Sequence, residues 1–200
     1  MAFRDFSFPE VQQLLDLTVA EADLTSGAAP LKPRDEFAAM IRDGAELALA
    51  INSEKARSEF IIAPVLLELK RTLNGSFGLF SGVELNVDAS RGLNGFCDFI
   101  LTKSPKQIIL TAPLVAIVEA KNDNVHYGFG QCIAQMVATR EFNQKANQPA
   151  GTVYGVVTTG TAWKFMHLKK SEVTFDIHEY YVVDLGKIMG ILTQMIRGAS

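Results

Sequence analysis

Leu114-Val115-Ala116-Ile117-Val118-Glu119-Ala120-Lys121 is an apolar run that acquires a carboxylate and an ammonium only at its end. A run of this composition, followed by polar residues, reads as a buried strand. Residues i and i+2 of a strand share a face, so Glu119 and Lys121 project side by side from one end of a sheet. The same E-x-K spelling occurs at Glu68-Leu69-Lys70, inside a segment with helical spacing. There, i and i+2 diverge by about 200°, and the two charges are expected to be solvated.

Working outward, Phe96 to Thr102 is a second apolar strand that carries one isolated acid, Asp98. Carboxylates on neighbouring strands repel unless a cation lies between them, and a hard divalent ion such as Mg²⁺ is the usual solution. Lys121 beside them would orient or deprotonate a metal-activated water. The competing reading of Glu119 and Lys121 is a plain ion pair at a strand end. His126 follows five residues after Lys121, and a lone loop histidine is usually solvated. Trp163 and Phe165 alternate along a strand, where aromatics fill a core more often than they stack on a base.

The rest of the chain supplies the frame. Phe80 to Val87 reads as a strand before Asp98. After Lys121, helical spacing at Phe129, Ile133, Met136, Val137 and Phe142 marks a helix over about 127–146. Strands follow at 152–158, 163–168 and 173–183, then a closing helix at 185–197. Strand, helix and strand in that order predict a right-handed βαβ unit from 114–120 into 152–158. Upstream, one helix carries Phe37, Met40, Ile41 and Ala45 on a face. The next is capped by Asn52 or Ser53, is kinked near its middle by Pro64 and ends at Asn74-Gly75. The expected fold is α/β with a mixed sheet.

Residues 1–33 read as a helical extension, with Val11, Leu14 and Leu15 in a helix over about 9–20, joined by a Gly and Pro linker to a domain over 34–200. A stripe of this kind on a tethered helix needs a partner, which points to a homodimer.

Composition sets limits. Of 200 residues 48% are hydrophobic, which excludes a disordered chain. No uncharged apolar stretch reaches the roughly 18 residues that a membrane span requires. The first ten residues contain Asp5 and Glu10, unlike a secretory signal. Cys97 and Cys132 lack metal or redox spacing and lie among apolar residues, so they are expected to be free buried thiols of a cytoplasmic protein. The net charge of −3 is unevenly spread: residues 1–50 carry −5 and residues 51–200 carry +2. Any contact with nucleic acid belongs to the second part. Phosphate-loop, zincin and nucleophile-elbow signatures are absent.

An acid on one strand, E-x-K on the next and a helix bearing glutamine resemble the PD-(D/E)XK nuclease superfamily. More narrowly, the segments 58–66, Gly95-Phe96-Cys97-Asp98-Phe99, Val118-Glu119-Ala120-Lys121, Gly130-Gln131 and 153–165 are similar to the N-terminal nuclease domain of type I restriction enzyme R subunits. This resemblance covers about residues 50–185. It implies a restriction-endonuclease-like αβββαβ core and Mg²⁺-dependent hydrolysis of DNA, with Mn²⁺ able to substitute. It further implies that Asp98 and Glu119 are metal ligands, Lys121 the catalytic lysine, Glu59 a supporting acid on the first core helix and Gln131 the helix glutamine. Glu54, one turn before Glu59, competes for that supporting place. Cys97 stands where the motif name has proline, and Gln135 where a Q-x-x-x-Y form has tyrosine. The alternative is a catalytically silent copy of the fold that binds nucleic acid or regulates a partner.

Overall fold

The computed structural model describes residues 1–198. In chain order its elements are α1 (Glu10–Leu14), β1 (Thr18–Ala22), α2 (Asp35–Ile51), α3 (Glu54–Arg57), α4 (Ala63–Thr72), β2 (Gly78–Glu84), β3 (Phe96–Thr102), β4 (Leu114–Ala120), α5 (Phe129–Lys145), β5 (Val153–Thr158), β6 (Ala162–Lys169), β7 (Glu172–Tyr181) and α6 (Leu185–Gly198). Among the described residues, seven strands form one mixed sheet in the order β1-β7-β6-β5-β4-β3-β2. The β1–β7 and β4–β5 pairs are parallel and the others antiparallel. The expected α/β class is therefore correct, and the succession α4, β2, β3, β4, α5, β5 follows the αβββαβ order.

Helices cover both faces of the sheet. On one side Phe37, Ile41, Val65, Leu66, Leu69, Ile188 and Leu192 pack against Val115, Val118, Trp163 and Phe165. On the other, Cys132, Ile133, Met136 and Val137 of α5 pack against Ile100, Ile117 and Val157. Residues 114–120 are buried throughout, as expected for a central strand with a helix on each face. Trp163 and Phe165 belong to the core, and Cys97 and Cys132 are buried and free. No helix among the described residues is long and apolar enough to cross a membrane.

The start and end signals of the helices act as read. The Ser53 side chain accepts a hydrogen bond from the Ala56 amide and so caps α3. Asn74 and Gly75 both take positive φ, and the Gly75 amide donates to the Lys70 carbonyl at 2.8 Å, closing α4. Pro64 is accommodated by a π-helical turn, Ser58–Ile62, between α3 and α4.

Two expectations need correction. The first helix stops at Leu14, and Thr18–Ala22 is a strand beside β7. β-propensity at Thr18 and Val19, together with a free sheet edge, overrides the helical period. Phe3, Phe6, Val11, Leu15 and Leu17 are buried in the α5 layer of their own chain. A Cβ on Gly130 would lie 2.4 Å from the Phe6 carbonyl oxygen, which shows how closely this segment lies on α5. Val11 and Leu15 of the stripe from which a homodimer was expected are thus covered within the chain, while Leu14 is exposed.

The second correction concerns Glu68 and Lys70, which are not solvent charges. Glu68 is buried and held by two guanidinium groups: Arg71 donates to it at 2.7 and 2.8 Å, and Arg34 at 3.3 Å twice. Lys70 donates to the Phe77 carbonyl and, at 2.6 Å, to Gln107 Oε1. Glu68 finds its partners in Arg71 of the same helix and Arg34 just before α2, whereas Lys70, on another face of α4, finds Phe77 ahead of β2 and Gln107 in the loop between β3 and β4.

Candidate active site

The ladder between β3 and β4 pairs Phe99 with Val118 and Ile100 with Ile117. One step further the same register sets Asp98 opposite Glu119, and directly opposed residues share a face. The Ala120 amide donates to Asp98 Oδ2 at 2.8 Å, which ties the two strand ends together. Lys121 Nζ donates to Glu119 Oε1 at 2.6 Å and to Gln131 Oε1 at 3.2 Å. Asp98, Glu119, Lys121 and Gln131 thus meet at the end of β4, under the first turns of α5.

That helix is fastened to β4 at both ends. Asn143 brackets the start of the strand, accepting from the Leu114 amide and donating to the Leu114 carbonyl, each at 2.8 Å. At the other end Gln135 Nε2 donates to Glu119 Oε2 at 3.0 Å. Gly128 allows the turn before α5 to lie on the lysine: a Cβ there would sit 2.5 Å from Val157 Cγ1 and 3.1 Å from Lys121 Cγ.

Burial dominates the electrostatics. It pushes the Glu119 carboxyl up to about 7, and the Asp98 charge adds to the rise against the opposing pull of Lys121 and Gln135. Burial also raises Asp98, with the Ala120 amide and Lys121 in opposition. For Lys121 burial alone would lower the pKa, but Glu119, Glu54 and Asp98 together raise it, so the amine stays an ammonium. Cys97 and Cys132, raised first by burial and then by Glu119, remain thiols.

The structure does not bring Glu59 to this group. It pairs with Lys55 at 2.8 Å on the surface and lines an apolar groove with Met40, Leu67 and Phe99. The helical acid that senses the site is Glu54, raised by loss of water and acted on by both Lys121 and Asp98. One turn of helix, about 100° per residue, separates the two choices, and the π-helical turn shifts the phase between α3 and α4. His126 is exposed, its ring 4.8 Å from that of Phe129.

The oxygen-only donors Asp98 and Glu119 suit a hard divalent ion. Two opposed acids here face one ammonium. Among the described residues no side chain donates to Asp98 Oδ1, whereas both Glu119 oxygens already have partners.

A second group able to take a metal lies at the far edge of the sheet and escaped the sequence reading, because its parts come from opposite ends of the chain. Ligand atoms of Asp23, Asp176 and His178 lie within 4.8 Å of one another. Asp176 is buried and accepts from Thr25 Oγ1 at 2.6 Å and from the His178 amide at 2.9 Å. Asp23 follows β1 and accepts from the Ser26 amide at 2.8 Å. The only advance signal was the i, i+2 spacing of Asp176 and His178 on one strand.

The fold and this end of the sheet define an α/β protein with an acidic and lysine cluster at the end of a central strand. No protein-family model matches the chain, and no curated protein matches it. Among solved structures a distant match is a chain of the cryoEM structure of the DrdV-DNA complex, with a TM-score of 0.45 and 12% identity. It covers 80% of this chain and 14% of that one, so this chain spans a small part of that protein's length.

Proposed function

We propose that this protein is a metal-dependent phosphodiesterase acting on DNA. The observation that carries the reading is the meeting of Asp98, Glu119 and Lys121 at one strand end, two acids against one ammonium. Asp98 and Glu119 would hold Mg²⁺ or Mn²⁺, which when bound lowers the pKa of a coordinated water. The Lys121 ammonium, directed by Glu119 and Gln131, would orient that water and counter the charge that grows on the phosphate. Burial lowers the Lys121 pKa, but Glu119, Glu54 and Asp98 together raise it in the metal-free protein, which supports an orienting role. Glu54 stands at the mouth as the third acid in place of Glu59. The choice of DNA rests on the sequence resemblance, which extends from the strand motifs to residues 153–165.

One observation favours the silent alternative. Glu119 is 1% exposed, and its two oxygens are occupied by Lys121 and Gln135, a closed arrangement that also suits a merely structural ion pair. The assay that separates the readings is cleavage of plasmid and single-stranded DNA with Mg²⁺ and with Mn²⁺. Wild-type protein is expected to cut, and Glu119→Ala to be inactive with unchanged far-ultraviolet circular dichroism. Intact substrates under every condition support the silent alternative.

A further inference from the structure

Gln135 is fully buried on α5, one turn beyond Gln131. Residues four apart on a helix lie on one face, so the two amides stand one above the other beside the Glu119 and Lys121 pair. They are used in opposite senses. Gln131 presents its oxygen to the Lys121 ammonium, and Gln135 presents its nitrogen to Glu119 Oε2. The second hydrogen-bond partner of the Gln135 nitrogen is the Phe96 carbonyl at 3.4 Å, on the strand that carries Asp98. The helix therefore addresses both strands through a single amide group.

The cost of this arrangement is visible. Gln135 Oε1 is buried without a hydrogen-bond partner. Buried polar atoms are nearly always paired, and an exception calls for a reason. Here the reason is the neighbour: turning the amide over would set its oxygen against a carboxylate and a carbonyl. The fold leaves one oxygen unpaired to keep the donor on Glu119.

We propose that Gln135 is a positioning residue that fixes the Glu119 carboxylate for a divalent cation, an inference that rests on the metal-site reading above. With Lys121 holding one oxygen and Gln135 the other, the carboxylate plane is set before any ion arrives. Partners of this kind usually matter 10- to 100-fold in metal affinity.

The test is Mn²⁺ binding by electron paramagnetic resonance to the full chain and to Gln135→Met, Gln135→Asn and Glu119→Gln. Methionine keeps the volume and removes both the donor and the unpaired oxygen. Gln135→Met is expected to fold like wild type by near-ultraviolet circular dichroism of Trp163 and to bind Mn²⁺ roughly 10- to 100-fold more weakly. Gln135→Asn, too short to reach Glu119, is expected to weaken binding similarly, and decides the matter if the methionine variant does not fold. Unchanged affinity in the folded Gln135 variants, beside lost affinity in Glu119→Gln, overturns the positioning role and leaves the metal site intact. Wild-type protein that takes up no Mn²⁺ overturns both.

Discussion

The chain contains Glu-x-Lys twice in buried surroundings, and the two copies behave oppositely. Glu68 receives four hydrogen bonds from two guanidinium groups, and Arg71 first, then Arg34, hold its carboxyl down at about 2 despite burial. Glu119 has one ammonium, an amide and a second acid opposite, and burial with Asp98 pushes it up to about 7. Spelling and burial are shared; the balance of charge around the carboxylate is not. An acid with cations to spare is a clamp that joins α4 to the start of α2. An acid short of cations favours taking up a proton or a metal ion.

The largest effect expected from this contrast is catalytic. Lys121→Ala should lower DNA cleavage by about 10²- to 10³-fold, the range for losing one positioned donor that stabilises charge growing in the transition state. The fold should survive, because Lys121 is at the rim. Wild-type rates in Lys121→Ala would break the comparison at its functional end.

Next comes stability. Glu68→Gln should destabilise the protein by about 2–3 kcal/mol, since a shift from 4.5 to about 2 converts at about 1.4 kcal/mol per unit before solvent screening of the two arginines is discounted. In a chain of this length that lowers Tm by roughly 4–12 °C. Cleavage per folded molecule should not change, so Glu68 and Lys70 serve as an activity control only below the new melting range. A thermal melt unaltered in Glu68→Gln would show that the clamp contributes nothing.

The two acids also give pH slopes of opposite sign. Glu68 has a depressed pKa, so its stabilisation is present above about 4.5 and is lost as pH falls towards 2. Glu119 has a raised pKa, so between about 4.5 and 7 the folded metal-free protein binds more protons than the unfolded chain. Its contribution is therefore present below about 4.5 and lost as pH rises through 7. Urea melts across pH 4.5 to 7.5 should show a falling component in wild type that Glu119→Gln removes. A slope identical in the two proteins would count against the charge deficit.

The smallest effect separates the two helical acids. Glu54→Gln should weaken cleavage several-fold, whereas Glu59→Gln, paired with Lys55 on the surface, should match wild type. The reverse result would restore Glu59 to the site.

Much of the frame was legible because it is local. The strand at 114–120, the acid at Asp98 and the helix between two parallel strands follow from period and composition, and Asn74-Gly75 and Ser53 punctuate the helices as their chemistry requires. What could not be read depends on partners distant in sequence. Arg34 reaches Glu68 across 34 residues, and Thr25 reaches Asp176 across 151. The strand at 18–22 exists because β7 offers it an edge, and a helical period in the preceding residues gave no hint of that. Gln135 looked like a departure from a motif tyrosine, and only the cross-helix geometry shows the donor it supplies to Glu119.

The cation proposed for the end of β4 has a rival place in the structure, at Asp23, Asp176 and His178. Calorimetric titration of Mn²⁺ into wild type, Glu119→Gln and the double variant Asp176→Asn with His178→Ala addresses this directly. One site is expected in wild type, lost in Glu119→Gln and kept in the double variant. Binding kept in Glu119→Gln and lost in the double variant would place the metal at the other edge of the sheet and contradict the β4 site.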